Sequence, residues 1–128
     1  MHHIGVAVAD LDASIQMYIE VFGALLVLRV TNEEEGLEVA LLRMGEAELE
    51  LLAALREESP VGKFIAKRGP GLHHVAYAVS DIVKKLDEAQ AAGLELIDTT
   101  PRIGMHGVRI AFIHPKSAGG VLTELVEA

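Results

Sequence analysis

The chain has 128 residues, of which 51% are apolar and 4% aromatic, and its formal net charge at pH 7 is −8. A chain of this length can bury a core, but it is too short for two independent enzyme domains. The acidic balance argues against a general affinity for nucleic acid or for an anionic membrane, because both need a basic protein surface. The absence of cysteine excludes disulfides, thiolate ligands and a cysteine nucleophile.

No apolar run approaches the ~20 residues that cross a bilayer. The first residues lead directly into a strand-like run without a basic leader segment. We therefore expect a cytoplasmic protein that has no nucleic-acid or membrane partner.

The first predicted elements are a strand that opens at His3 and the helix that follows it. Residues 3–11 read HIGVAVADL, and apolar residues then recur at helical spacing from Leu11 to Phe22. Asp10 suits the helix N-cap, and Gly23 supplies a left-handed stop. Strands are predicted next at 24–31, 36–42 and 48–52.

A short helix and then a second copy of the same pattern follow. Ser59 and Pro60 suit the start of a linker helix at about 59–68, which the Gly-Pro-Gly run at 69–71 terminates. Residues 74–82 read HVAYAVSDI, with His, Ala, Val and Asp at the places they hold in residues 3–11. A helix is predicted from Asp81 (or Ser80) to Gly93, followed by strands at 94–98, 107–113 and 122–126.

The repeat predicts an α+β fold made of two βαβββ modules. Module 1 covers about 1–55 and module 2 about 71–128, and no shift in composition separates them. We therefore expect one domain, 1–128, in which the two modules share one sheet system.

Polar residues at matched positions of the two modules predict a metal site. A histidine opens each first strand (His3 and His74), and a glutamate lies within each last strand (Glu50 and Glu124). Polar side chains at strand positions otherwise built for burial need a partner. Related by duplication, the four are expected to converge near a pseudo-twofold axis, where one divalent cation satisfies them all. Their imidazole and carboxylate groups suit zinc, cobalt, nickel, manganese or iron(II).

Other histidines and acidic residues near these positions are not expected to be ligands. Strand alternation points His2 and His73 away from the face that carries His3 and His74. Glu48 shares a face with Glu50 but has no repeat counterpart, because the matching residue is Leu122. The remaining candidates lie near turns and are predicted to be loop residues, namely His106 and His114.

Several stretches resemble a known family. The opening HIGVAV is similar to the vicinal oxygen chelate (glyoxalase) superfamily, in which paired βαβββ modules form a half-barrel around a metal. The segments from Glu50 to Ile65, GLHHVA at 71–76 and HPKSAGGVLTEL at 114–125 resemble the methylmalonyl-CoA epimerase family. The ligands of that family fall on His3, Glu50, His74 and Glu124. The resemblance also implies a homodimer and one divalent ion, with cobalt favoured and zinc, nickel or manganese as alternatives.

The resemblance implies a mechanism as well. The substrate would be a 2-methylmalonyl thioester of coenzyme A, epimerised by removal of the α-proton through a metal-stabilised enolate, with Glu124 as one base. A second glutamate reported for the family aligns with Val39, and the adjacent Glu38 is expected to point the wrong way, so the second base stays open between Glu38 and water. The phosphates of coenzyme A could meet basic residues in helices and turns that otherwise serve as solubilising charge: Lys63, Lys67, Arg68, Arg102 and Lys116.

Three other functions fit parts of the pattern. A glyoxalase I-type lactoylglutathione lyase would use similar metal chemistry on a glutathione hemithioacetal. A metal-free small-molecule-binding protein of the same fold would not need the four ligands. An extradiol dioxygenase would need two histidines and one glutamate around iron, commonly in a longer chain.

Overall fold

The computed structural model describes residues 1–105 and 107–128 and divides into two compact units. The N-terminal unit is His3–His73, and the C-terminal unit is His74–Ala128 together with Met1–His2. His106, which the sequence analysis assigns to a loop, lies outside the described residues. The organisation as one domain stays a prediction.

The N-terminal unit contains four strands and two helices. They are β1 (His3–Ala7), α1 (Leu11–Phe22), β2 (Leu25–Asn32), β3 (Leu37–Met44), β4 (Ala47–Ala54) and α2 (Pro60–Arg68). The strand order is β2-β3-β4-β1, in which β1 runs parallel to β4 and the other neighbours are antiparallel. The predicted ends of α1 are confirmed, because the Asp10 side chain accepts a hydrogen bond from the Ala13 amide and Gly23 has φ 70°.

The two faces of this sheet are covered by different helices. Helix α1 packs on the face that carries Ala40, Leu42 and Leu51. On the other face, α2 packs through Val61 against a small apolar cluster formed by Ala7, Leu37, Val39 and Leu52. His3 and Glu50 belong to this second face, because His3 is four residues before Ala7 and Glu50 two residues before Leu52.

The C-terminal unit repeats the strand order and pairing of the N-terminal unit. Its elements are β5 (Gly71–Val79, of which the first three residues belong to the N-terminal unit), α3 (Ile82–Ala91), β6 (Arg102–Ile103), β7 (Arg109–Ile113), a short 3-10 helix (Pro115–Ser117) and β8 (Thr123–Glu127). The strand order is β5-β8-β7-β6, with β5 parallel to β8 and antiparallel pairing elsewhere. Asp81 caps α3 by accepting from the Lys84 amide, and α3 packs through Ile82 and Leu86 on Ala111 and Leu125. The predicted internal repeat is therefore confirmed in the pairing pattern of the strands.

One predicted strand, at 94–98, is wrong. This segment forms an isolated bridge, Leu96 to Ile113, and the strand that pairs with the outer edge of β7 is the two-residue β6. The amides of Ile97 and Asp98 both donate to the Phe112 carbonyl, at 2.9 and 3.1 Å, and the Asp98 carboxylate accepts from the Phe112 amide at 2.9 Å. The Asp98 side chain thus takes the place of a backbone carbonyl in pairing with Phe112. Pro101 has no N–H, so it cannot donate a hydrogen bond that would extend a strand.

Candidate active site

The N-terminal unit buries a histidine beside a glutamate. His3 is the first residue of β1, and the parallel register of β1 and β4 places Glu50 next to Gly5. The Nε2 atom of His3 lies 3.6 Å from Oε2 of Glu50, and the two residues are only 2% and 8% exposed. Burial of two polar side chains on a face that is otherwise apolar makes this position a candidate site.

The C-terminal unit buries the matching pair. The parallel register of β5 and β8 places Glu124 next to Ala76, two residues after His74. The Nε2 atom of His74 lies 3.2 Å from Oε1 of Glu124, and the two residues are 3% and 7% exposed. The structure thus places each predicted histidine beside the glutamate of its own module. Their roles as ligands stay predictions.

The spacing within each pair suits metal binding. Two ligand atoms that are each about 2.1 Å from one ion, at angles of about 90–110°, lie about 3.0–3.4 Å apart. The separations of 3.6 Å and 3.2 Å are close to that range, so both atoms of a pair could bind one ion with little rearrangement. His3, His74 and Glu124 each offer a side-chain atom that could bind a metal ion.

Residues excluded by the sequence analysis have other contacts. The ring of His73 packs edge-on against Phe64 of α2, with centroids 4.8 Å apart. His114 caps the 3-10 helix, because its Nδ1 accepts from the Lys116 amide at 3.1 Å, and its prediction as a loop residue is confirmed. A carboxylate oxygen of Glu48 lies 3.6 Å from Nη2 of Arg43.

The surroundings of the two pairs differ. Across β7 and β8, Phe112 is the neighbour of Glu124, and its ring packs edge-on against His74 with centroids 6.2 Å apart. The guanidinium carbon of Arg102 lies 5.4 Å from the centroid of the Phe112 ring. The equivalent neighbour of Glu50 on β3 is the buried Leu41.

Sequence reasoning missed Phe112 as part of this site. The available signal was its position: it stands where the repeat has Leu41, and it is one of three phenylalanines in the chain. Recognising it required the antiparallel register of β7 and β8, which the residue pattern alone does not supply.

Strand β3 offers no carboxylate to the face that carries His3 and Glu50. Glu38 lies on the opposite face, where its Oε2 accepts from Nε of Arg29 at 2.9 Å, and Arg29 also contacts Asp12 at 2.6 Å. These two carboxylates raise the pKa of the Arg29 guanidinium above its usual range. Val39, which does face the site, is 4% exposed and packs in the apolar cluster under α2. The prediction that Glu38 points away is confirmed.

Comparison with known proteins identifies the family. The model of the Glyoxalase/Bleomycin resistance protein/Dioxygenase superfamily matches residues 2–112. The ethylmalonyl-CoA/methylmalonyl-CoA epimerase of Cereibacter sphaeroides is 34% identical, and the match covers 98% of this chain and 95% of the relative.

Solved structures agree with the sequence relatives. Methylmalonyl-CoA epimerase from Mycobacterium tuberculosis is 44% identical with a TM-score of 0.90, covering 98% of this chain and 85% of that chain. A Streptomyces coelicolor methylmalonyl-CoA epimerase variant in complex with 2-nitronate-propionyl-CoA is 38% identical with a TM-score of 0.92, covering 100% and 93%. The predicted fold and the predicted resemblance are confirmed. The chain belongs to the Glyoxalase/Bleomycin resistance protein/Dioxygenase superfamily and, within it, to the family of the methylmalonyl-CoA epimerases.

Proposed function

We propose that this protein interconverts the two epimers of methylmalonyl-CoA with the help of one divalent ion. The observation that carries the proposal is the buried histidine–glutamate pair that each unit repeats. The similarity to methylmalonyl-CoA epimerases over nearly the whole chain supports the substrate class.

The proposed ligands are His3, Glu50, His74 and Glu124, one pair from each unit sharing a single ion. Cobalt is the proposed metal, and zinc, nickel or manganese would suit the same nitrogen and oxygen donors. When bound, the ion supplies Lewis-acid stabilisation of the enolate, an effect worth several kcal/mol. The low exposure of all four residues supports this role, because a dry site strengthens electrostatic stabilisation.

Glu124 is the proposed base that takes the α-proton. Its neighbour on β7 is Phe112, where Glu50 has Leu41 on β3, and this difference supports a specialised role. A ligand carboxylate loses basicity, so Glu124 would act by turning one oxygen toward the substrate. Because β3 offers no carboxylate to the site face, we propose that water returns a proton to the opposite side of the α-carbon.

The direct test is exchange of the α-proton of methylmalonyl-CoA in deuterated water, with inversion of the α-carbon followed in the same sample. We expect both, and we expect no formation of lactoylglutathione from the glutathione hemithioacetal. Lactoylglutathione formation without α-proton exchange would favour the glyoxalase I alternative. Binding of methylmalonyl-CoA without either reaction would favour a binding protein of the same fold.

We also propose that the protein is a homodimer and that β2 lies at its interface. Eight large apolar residues between 17 and 28, on α1 and β2, are 40–68% exposed: Met17, Ile19, Val21, Phe22, Leu25, Leu26, Val27 and Leu28. A large exposed apolar surface of this kind typically marks a site of protein–protein interaction.

A second copy of this chain is the partner that this surface fits best. Strand β2 ends the strand order of its unit, so its outer edge can pair with the same edge of a second copy across a twofold axis. Glu20 is the single charged residue between 17 and 28, so two copies that each carry a net charge of −8 can meet there with little repulsion. The cytoplasmic location stays a prediction; no helix within 1–105 and 107–128 is long and apolar enough to cross a bilayer.

A further inference from the structure

Phe112 of β7 is held through its backbone by the segment that follows α3. The Asp98 carboxylate accepts a hydrogen bond from the Phe112 amide at 2.9 Å, and the amides of Ile97 and Asp98 donate to the Phe112 carbonyl. Because these two backbone groups of Phe112 point away from β8, Phe112 and Glu124 are a pair without hydrogen bonds between them, the kind in which facing side chains come closest. The Phe112 side chain therefore lies close beside the buried Glu124.

Asp98 also holds a cation next to the ring of Phe112. Arg102 faces Ile110 across β6 and β7, and Ile110 is two residues before Phe112, so Arg102 and Phe112 lie on the same face. The guanidinium carbon of Arg102 lies 5.4 Å from the centroid of the Phe112 ring, and Nε of Arg102 lies 3.4 Å from Oδ1 of Asp98. A guanidinium within about 6 Å of a ring centroid is attracted to the ring. Asp98 thus fixes both the backbone of Phe112 and the cation that contacts its ring.

The Phe112 ring meets the imidazole of His74 on the face that carries the proposed ligands. The two ring planes lie at 86° with centroids 6.2 Å apart, an edge-on arrangement that aromatic pairs prefer. The bond that turns an imidazole on its side chain has only a broad rotational preference, so a neighbouring ring can decide where its nitrogen atoms point. In the N-terminal unit the matching position on β3 is filled by Leu41, which is aliphatic.

A similar contact at a histidine that is not a proposed ligand provides a comparison. The ring of His73 packs edge-on against Phe64, with centroids 4.8 Å apart. The guanidinium carbon of Arg68 lies 5.9 Å from the centroid of the Phe64 ring. The two phenylalanines, Phe64 and Phe112, thus make the same kinds of contact, one to a proposed ligand and one to a histidine that is not.

We propose that Phe112 is a positioning residue, fixed by Asp98 and Arg102, that holds the His74 imidazole in the orientation that binds the ion. This inference rests on the proposed function, because it concerns a proposed ligand of the catalytic ion. Contacts just outside the ligands typically change metal affinity by about 10–100-fold, because they set the direction of the ligand atoms. An edge-on ring contact is weaker than the hydrogen bonds that set this range, so we expect an effect near its lower end.

The test measures the cobalt affinity of Phe112→Leu without substrate, by calorimetry, together with the visible absorption of the bound cobalt. Leucine is the residue at the matching position of the N-terminal unit, Leu41. We expect the affinity to fall about tenfold and the absorption, which reports the geometry of the ligands, to change. Phe112→Tyr keeps the ring, so its affinity should stay within about twofold of the wild type. The matched control, Phe64→Leu, removes the ring beside His73 and should keep the wild-type affinity and absorption.

Arg102→Gln tests the cation separately. We expect its cobalt affinity without substrate to fall about threefold, because a cation–π contact at a partly exposed site contributes less than the ring itself. A role of Arg102 in binding the phosphates of the substrate would instead raise KM for methylmalonyl-CoA and leave the cobalt affinity unchanged. That result would overturn the part of the inference that concerns Arg102.

Cobalt affinity without substrate separates this inference from the proposed function. A loss of affinity in Phe112→Leu that Phe64→Leu does not share would support the positioning role even if the wild type did not epimerise methylmalonyl-CoA. Epimerisation by the wild type together with an unchanged cobalt affinity in Phe112→Leu would overturn the inference and leave the proposed function standing. Equal losses in Phe112→Leu and Phe64→Leu would also overturn it. A wild-type protein that binds no cobalt would overturn both.

Discussion

The two units hold nearly the same pair of ligand-type side chains in different surroundings. In the N-terminal unit, His3 and Glu50 share their face with Leu41 and with the apolar cluster under α2. In the C-terminal unit, His74 and Glu124 lie against Phe112, which in turn contacts Arg102. The repeat thus preserves the donor atoms and their spacing, while the neighbours have diverged. We infer that both pairs bind the ion and that proton transfer belongs to the C-terminal pair.

Removal of a histidine ligand should reduce activity most strongly. His74→Ala should lose both the bound metal and the activity but keep the fold. The buried His74 side chain contacts Glu124 and is not part of the apolar core. Metal analysis after dialysis, with circular dichroism for the fold, measures this. The control is His73→Ala, whose ring packs on Phe64 and which should keep about one ion per chain. Unchanged metal content in His74→Ala would remove His74 from the site.

The next effect distinguishes the two glutamates. Glu124→Gln keeps an oxygen donor and loses a base, so turnover should fall by about 10²–10⁴-fold with near-normal metal content. Glu50→Gln is the matched variant in the other unit and should lose much less activity. Equal losses would mean that both carboxylates move protons, and a fully active Glu124→Gln protein would leave water as the base.

A charge placed on β2, at the proposed dimer interface, should change the oligomeric state. Val27 is 47% exposed and lies at the irregular point in the β2–β3 ladder, so Val27→Lys should disturb packing within one chain little. It should shift the protein from dimer to monomer in light scattering at micromolar concentration. Val83→Lys places the same charge at a similarly exposed valine of α3 and should stay dimeric. A wild-type protein that is monomeric throughout this range would contradict the proposed homodimer.

Loss of one ion pair within the C-terminal unit should lower the thermal stability slightly, which is the smallest of these effects. Arg109 donates to Glu127 at 2.8 Å, and the Ile82 amide at the start of α3 donates to the same carboxylate at 3.1 Å. These contacts lower the pKa of Glu127 below its ordinary value of 4.5. Its stabilisation is therefore present above that ordinary value and is lost as the pH falls through the lowered pKa.

Glu127→Gln tests this pH dependence. The variant should melt at a slightly lower temperature than the wild type at pH 7. The difference in Tm should disappear in acid below the lowered pKa, where the wild-type carboxyl is also protonated. A difference in Tm that stays the same across this range would mean that the charge of Glu127 does not stabilise the unit.

Much of this structure follows from local signals in the sequence. The caps Asp10, Ser59 and Asp81 mark helix starts, and the repeat of His3 at His74 reveals the duplication. The segment at 94–98 could not be predicted, because its path depends on the Asp98 side chain replacing a backbone partner of Phe112. The contact between Phe112 and His74 could not be predicted either, because it depends on the pairing register of the strands and not on the periodicity of the sequence.

We propose that the two pairs share one ion, and a metal titration distinguishes one shared ion from two separate ones. Metal-depleted protein is titrated with cobalt while bound cobalt and α-proton exchange of methylmalonyl-CoA are measured together. We predict that both saturate at one ion per chain, and that His3→Ala and His74→Ala each abolish this single site. Saturation at two ions per chain, or full exchange activity in the metal-depleted protein, would rule out a single shared catalytic ion.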